Sequence, residues 1–243
     1  ELLLDGAPLP DLASVRAFIC GGAVLKKELG ERFAAWSRKP LLDGYGLSET
    51  SPVVSFNRPE KARFGTIGIP IRDVEVAILD PQGQELPPGE TGEIAVRGPN
   101  VMLGYLNQEK ATERAFRYGW FHTEDVGFFD QEGFLHLVDR LKDLIISSGE
   151  NIYPREVEQV LLQYPGVAEA AVIGYPDPLR GQSAAAWVVP EAGTAVDIRA
   201  LRRYLLDRIA PYKIPKKYFL ARELPRTGLG KVRKNVLQEE TLK

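Results

Sequence analysis

The spacing of apolar residues changes twice along the chain, and no single regular architecture accommodates both changes. Residues 15–20 form a short apolar run that stops at Gly21-Gly22. Leu25, Leu29, Phe33 and Trp36 then recur at helical spacing until Pro40. This order predicts an α/β piece, with Leu41-Leu42 leading into a second glycine-rich turn. Between residues 65 and 138 the texture turns to β. Val74, Val76 and Ile78 alternate, Asp80-Pro-Gln-Gly83 supplies a turn, and Ile94 and Val96 alternate again. Phe128-Phe129 and residues 134–138 flank an Asp130-Gln-Glu-Gly133 turn, which reads as a hairpin. The pattern predicts a small, strongly bent antiparallel sheet or barrel.

After Arg140 the pattern is mixed. Pro154 suits the first turn of a helix carrying Val157, Val160, Leu161 and Tyr164, ended by Pro165-Gly166. Residues 170–173 and 184–189 read as strands. Asp197 can cap a second helix burying Ile198, Leu201, Leu205 and Ile209, which Pro211 stops. Residues 217–221 read as a third strand. The predicted fold class is therefore α/β and α+β, with a boundary near residue 140.

Charge supports that boundary. Residues 1–140 hold 15 basic and 21 acidic residues, whereas 141–243 hold 16 and 12. Within 208–234 there are nine basic residues and one acidic residue. Such a run is ordinarily a solvated face; its sharper reading is a field that attracts a polyanionic small ligand. It lacks the aromatic interleaving of a base-stacking surface, and the overall net charge of −2 gives no reason to expect a nucleic-acid partner. A single cysteine, Cys20, excludes an internal disulfide framework and a thiolate zinc site. No apolar run approaches a membrane span, and the expected location is cytoplasmic.

Five segments carry chemistry. Cys20-Gly-Gly-Ala23 sits where a strand ends, so its glycines either admit a ligand to the backbone or permit a tight turn. Asp43-Gly-Tyr-Gly-Leu-Ser-Glu-Thr50 sets an aromatic face, a hydroxyl and a carboxylate beside flexible backbone. Those groups suit a base, a phosphate and Mg²⁺, or equally a surface turn around a buried tyrosine. Gly119-Trp-Phe-His-Thr-Glu-Asp-Val-Gly127 offers Asp125 to a ribose or to a turn, and Asp139-Arg-Leu-Lys142 offers Arg140 to a ribose or to a surface ion pair. Pro225-Arg-Thr-Gly-Leu-Gly-Lys231 puts Lys231 on a glycine-rich turn that is not a Walker loop, because Val232 stands where the Ser/Thr would bind Mg²⁺.

The order and combination of these segments resembles the adenylate-forming (AMP-forming) enzymes, in the acyl-CoA synthetase, fatty acid:CoA ligase branch. The likeness covers nearly the whole chain but only the second half of the family's usual length. The Ser/Thr/Gly-rich phosphate loop lies upstream of the matched region, so a fragment with little turnover of its own is expected. The resemblance implies that residues 1–139 are the C-terminal part of a large domain (α/β piece 1–60, barrel-like 61–139), and that 140–243 are a small mobile lid domain hinged near 140–143. Gly21, Gly22 and Ala23 would line the adenine and acyl-carboxylate pocket. Gly44, Tyr45 and Gly46 would hold adenine, with Ser48 on the α-phosphate and Glu49 on Mg²⁺. Asp125 and Arg140 would bind ribose, and Lys231 would bridge the carboxylate and the α-phosphate. Lys142 falls at the hinge, and the 146–151 loop around Gly149 would shape the pantetheine channel.

Two departures stand out: Ser48 where threonine is commoner, and Thr123-Glu124-Asp125 where Thr-Gly-Asp is usual. The implied partners are ATP (leaving as AMP), Mg²⁺, coenzyme A and a carboxylic acid. Val53, Val54 and Phe56 suggest an apolar pocket wall and hence a hydrocarbon acid. An exposed apolar surface over residues 1–50, with a compensating homo-oligomer, is a further expectation. The alternatives are an enzyme that loads an acyl or amino acid onto a carrier protein, and a non-catalytic nucleotide- or CoA-binding module.

Overall fold

The computed structural model describes residues 11–22, 25, 27–228 and 230–242. The chain divides into two compact units, Glu1–Leu137 and Val138–Lys243. In the first, β1 (Phe18–Cys20), α1 (Lys27–Ser37) and β2 (Leu41–Tyr45) make the expected β-α-β step, with β1 and β2 parallel and Cys20 beside Asp43. Phe33 of α1 meets Phe18 edge-on at 5.0 Å. On β1, Ile19 is 74% exposed. Two short strands, β3 (Ser55–Phe56) and β4 (Ile69–Pro70), continue the sheet antiparallel from β2.

The chain then builds β5 (Glu75–Leu79), β6 (Gly92–Arg97), α2 (Glu109–Ala115), β7 (Phe116–Arg117), β8 (Trp120–Phe129) and β9 (Leu135–Arg140). The second sheet runs β5-β6-β8-β7, with β9 also on β8. Val74, Ile78, Ile94 and Val96 all point into one core with Tyr45, Val54, Ile67, Phe121 and Leu135. The period-two alternation marks one buried face, whose core the α/β piece shares, while Ala77, Leu79 and Ala95 on the other face form a smaller buried cluster. Both predicted turns close in the same way. Asp80 Oδ1 accepts from the N–H groups of Gln82 and Gln84, and Asp130 Oδ1 from those of Glu132 and Phe134, at 2.8–3.0 Å. Gly83 and Gly133 follow at φ +79° and +82°, where a side chain would be strained. The helix α2 was not anticipated.

The strand β8 carries a bulge in which three residues stand opposite one of β6. Glu93 pairs with Val126 but Ala95 pairs with His122, so the Thr123–Asp125 stretch loops out of register. Its backbone is pinned from β6: Thr123 Oγ1 donates to the Ile94 carbonyl at 2.7 Å, and Glu93 Oε1 accepts from Glu124 N–H at 3.1 Å. The other oxygen of Glu93 lies 2.7 Å from His122 Nδ1. At the apex Glu124 sits at φ +59°, the left-handed region that glycine enters without cost.

The second unit contains β10 (Ile145–Ser147), β11 (Glu150–Ile152), α3 (Pro154–Leu162), β12 (Val167–Asp177), β13 (Gly181–Pro190), α4 (Ile198–Leu206), β14 (Lys217–Leu220) and α5 (Lys234–Thr241). Its sheet runs β11-β10-β13-β12, with β14 parallel on β13. Alternate residues of β12 and β13 serve two cores. Val172, Ala186 and Val188 pack with Val157 and Leu161 of α3 and Leu201 and Leu205 of α4, while Ala171, Ile173 and Ala185 pack with Leu237 of α5. Asp197 caps α4 as expected, accepting from Arg199 N–H at 2.9 Å. The first turn of α3 takes its acceptor from outside the helix, Asp139 Oδ2 receiving Arg155 N–H at 2.8 Å. Two elements differ from the sequence reading. Residues 146–151 form most of a β-hairpin rather than a loop, and α5 follows the Lys231 turn. Among the described residues no helix is long and apolar enough to cross a membrane.

Two stability outcomes follow. Glu124→Gly relieves the left-handed apex and should raise unfolding free energy by about 1 kcal/mol, whereas Glu93→Ala, which strips the bulge of its anchor, should lower it by about 2 kcal/mol. Urea titrations of both variants check the pair. Asp43 is 6% exposed, and burial pushes its carboxyl up from 3.8 to about 6 against the pull of the Leu25 and Gly44 N–H groups. A raised carboxyl favours the folded state most when protonated, so this contribution is complete below pH 3.8 and lost as pH climbs through about 6. Asp43→Asn should therefore gain stability over the parent chain progressively between those values, read from denaturation midpoints across the range.

Candidate nucleotide and acyl-transfer site

Because β1 and β2 are parallel, the segments that follow them leave the sheet at the same edge, the edge where open α/β sheets bind ligands. Gly21 and Gly22 follow β1, and Gly44 and Tyr45 end β2 with Gly46 just beyond. Gly22 is left-handed at φ +81°, and no described residue lies within 4 Å of a Cβ built there. Gly46 is different: a Cβ there would fall 1.6 Å from the Pro52 carbonyl oxygen. That glycine is required by the returning chain itself. Ala23 lies outside the described residues.

The Tyr45 hydroxyl donates to Asp125 Oδ2 at 2.7 Å, and both residues are buried. This bond brings the predicted ribose carboxylate to the tyrosine of the glycine-rich turn. Beyond Gly46, Ser48–Thr50 form a single helical turn closed by Thr50, whose Oγ1 receives Leu47 N–H at 3.0 Å. Ser48 is exposed and Glu49 half-buried. Glu49 Oε1 accepts from the Tyr105 hydroxyl at 3.0 Å. Burial, and then that carboxylate, hold the Tyr105 phenol above its ordinary range. The Glu49 carbonyl receives Met102 N–H at 2.8 Å, and Asn100 Nδ2 donates to the carbonyls of Thr50 and Val53 at 2.9 and 2.8 Å.

Asn100 and Tyr105 were not singled out from sequence. Gly98-Pro-Asn100 signals a turn, but nothing local to either residue points to partners some fifty positions away. Of the three apolar residues assigned to a pocket wall, Val54 is fully buried in the core, and Val53 and Phe56 are half-buried.

The remaining site residues belong to the second unit. Arg140 ends β9, and its N–H donates to Asp139 Oδ1 at 2.8 Å. Lys142 is exposed on the short turn Leu141–Asp143. Gly149 at φ +84° follows Ser148 at +53°, and together they make the two-residue turn of the β10–β11 hairpin. Lys231 is exposed on a turn in which its carbonyl accepts Thr227 N–H at 2.8 Å and its own N–H reaches Thr227 Oγ1 at 3.2 Å. Arg226 spans that turn, donating to the Gly230 carbonyl at 2.6 Å and pairing with Glu169 of β12.

The donor set in the first unit fits a lightly held hard cation. Among the described residues no group of three or more His, Cys, Asp or Glu forms a cage. Mg²⁺ is commonly held by one or two carboxylates plus substrate phosphates and water. Glu49, with one oxygen on Tyr105 and further lone pairs in hand, suits that mode.

Comparison with known proteins fits this geometry. The profile of the AMP-binding enzyme family matches residues 1–106, and that of the AMP-binding enzyme C-terminal domain matches residues 156–231. A feruloyl-CoA synthase of an Amycolatopsis species is 46% identical over 92% of this chain and 46% of its own length. A long-chain-fatty-acid–CoA ligase of Bacillus subtilis is 43% identical over 95% of this chain and 42% of its own. The o-succinylbenzoate CoA synthetase of Bacillus subtilis, solved with its acyl-adenylate intermediate, superposes with a TM-score of 0.86 at 40% identity, covering 98% of this chain and 48% of that one. The same synthetase has been solved with ATP and a magnesium ion, where the TM-score is 0.84. The chain therefore spans about half the length of the relatives it matches. Matched in both domains that define the group, the chain belongs to the AMP-binding, adenylate-forming enzymes.

Proposed function

We propose that the protein is an AMP-forming acid–thiol ligase acting on a carboxylic acid with a hydrocarbon body. The acid's carboxylate oxygen attacks the α-phosphorus of ATP, pyrophosphate leaves, and an acyl-adenylate forms. The thiol of coenzyme A then attacks the acyl carbon, giving the thioester, AMP and one proton. The observation that carries this reading is the 2.7 Å bond from Tyr45 to Asp125, which sets a carboxylate able to accept two ribose hydroxyls beside an aromatic face on glycine-rich backbone. The names of the relatives, a feruloyl-CoA synthase and a long-chain-fatty-acid–CoA ligase, support an apolar or aryl acid. The half-buried Val53 and Phe56 agree with that choice.

In this reading Gly21, Gly22 and Ala23 flank adenine and the acyl carboxylate, and Gly44-Tyr45-Gly46 receive the base. Ser48 donates to the α-phosphate, while Asp125 and Arg140 clamp the ribose. Mg²⁺ held by Glu49 supplies positive charge to the phosphates of ATP. Lys231 brings an ammonium to the carboxylate and α-phosphate as negative charge gathers at phosphorus, which is where such a group stabilises most. The two half-reactions need different groups, and rotation of the second unit about Lys142 exchanges Lys231 for the hairpin around Gly149. Since ATP and coenzyme A are drawn from the cytoplasm, the enzyme works there.

The test is carboxylate-dependent ATP–pyrophosphate exchange by the full-length protein across fatty, aryl and amino acids, with thioester followed by mass once coenzyme A is added. Lys231→Ala should slow exchange by about 10²–10³-fold, yet convert preformed acyl-adenylate to thioester within about two-fold of the parent rate. Equal loss in both steps overturns the role of Lys231. Exchange without thioester turns the reading toward carrier-protein loading, and no exchange with any acid overturns the ligase.

A further inference from the structure

One short segment, residues 98–105, grips the Ser48–Thr50 turn at several points. Asn100 holds the carbonyls of Thr50 and Val53, Met102 N–H holds the Glu49 carbonyl, and the Tyr105 hydroxyl holds the Glu49 carboxylate. The segment is itself fixed from α2. Tyr105 N–H donates to Thr112 Oγ1 at 2.9 Å, and a Cβ on Gly104 would come within 2.8 Å of the Thr112 methyl. Core packing does not explain the whole of it, for Leu103 and Leu106 on either side of Tyr105 are almost fully exposed. What the segment does at Tyr105 is polar and aimed at one residue.

An unrestrained glutamate samples many rotamers, and ordering it costs up to about 2 kcal/mol. A phenol fixed at its backbone and hydrogen-bonded to one carboxylate oxygen meets that cost before any ligand arrives. We propose that Tyr105 is a positioning residue for Glu49, holding the carboxylate in one orientation so that its remaining lone pairs are pre-set for the divalent cation that accompanies ATP. This rests on the reading of Glu49 as the metal carboxylate given above. Tyr105 acts through Glu49, so its removal weakens metal affinity and leaves the coenzyme A step alone.

The experiment uses the full-length protein with ATP and Mn²⁺ as a paramagnetic probe, free Mn²⁺ being read by electron paramagnetic resonance without turnover. Tyr105→Phe keeps the ring and removes the donor. It should weaken Mn²⁺ binding in the ternary complex by about five-fold, with the KM for coenzyme A unchanged. In a Glu49→Gln background the same change should add nothing, since its effect passes through the carboxylate. Thr112→Val, which loosens Tyr105 at its backbone, should act in the same direction to a smaller extent. If Glu49→Gln leaves Mn²⁺ affinity intact, the metal reading of Glu49 fails and this proposal with it. If Glu49→Gln weakens Mn²⁺ and Tyr105→Phe does not, or if Tyr105→Phe acts equally in both backgrounds, the proposal alone is overturned.

Discussion

A buried carboxylate has to be satisfied or neutralised, and in the first unit Asp125 receives the hydroxyl of Tyr45 from eighty residues away in sequence. That requirement couples two pieces of structure with little else in common. Tyr45 ends the second strand of the β-α-β step, while Asp125 lies in the bulge of a long antiparallel strand. The ring of Tyr45 contributes to the same core as Ile94, Val96 and Phe121, so its hydroxyl can reach Asp125 only when that core is assembled. Packing positions the bond, and the bond fixes which end of the sheet presents the acid. The glycines nearby reinforce the geometry: with Gly46 pressed against the Pro52 carbonyl, the turn that begins at Tyr45 must double back toward Ser48 and Glu49.

The bulge in β8 is the second half of that arrangement. A regular strand would send Thr123 and Asp125 to the same face and keep both in the ladder. Here Thr123 Oγ1 bonds the Ile94 carbonyl and also receives Asp125 N–H at 3.1 Å, which turns the aspartate out of register. The conformation this demands at the intervening position is left-handed, and Glu124 adopts it. The chain tolerates this because Glu93 holds Glu124 N–H from the neighbouring strand. A strained backbone and an anchoring carboxylate therefore occur together, next to the residue on which the site depends.

Much of this was legible because it is local. The Asp80 and Asp130 turns, the Asp197 cap, the Pro154 helix start and the alternation of Val74, Ile78, Ile94 and Val96 each follow from a rule spanning a few residues. The elements that escaped are short or rely on distant partners. Three-residue strands on either side of Ser148-Gly149 carry too little pattern to separate a hairpin from a loop, although the Ser-Gly pair suits the primed turn it forms. The eight residues of α5 declare themselves chiefly through Leu237, whose burial depends on β12 and β13. Asp139 reads as the first residue of a hinge motif, yet its carboxylate caps a helix sixteen positions on. In the site, the glycines and acids were visible, whereas Asn100 and Tyr105 were not, since their meaning lies wholly in contacts across about fifty residues. The run Val53 to Phe56 reads as uniformly apolar, yet Val54 packs into the core just before β3 while Val53 and Phe56 stay half-buried.

The basic run of the second unit shows how sequence charge and available charge differ. Of its nine basic residues, Lys213 is bonded to Glu156, Lys234 to Glu158 and Arg226 to Glu169. Arg208 lies over the Tyr204 ring and Lys217 over the Tyr175 ring. Three of the nine are thus offset by carboxylates, while Arg208 and Lys217 keep their charge, so the field predicted for a polyanion is weaker than a residue count suggests. These pairs are also structural. Glu158 receives Val172 N–H as well as Lys234, which ties α3, β12 and the start of α5 together. Arg226 joins the Lys231 turn to β12 through Glu169. The turn is therefore braced on both sides while Lys231 itself stays exposed. In the role proposed for Lys231, such bracing would leave less entropy to lose on engaging a phosphate than a long side chain on an unbraced loop would. Among the described residues the charges that brace the turn, Arg226 with Glu169 and Lys234 with Glu158, are paired with each other.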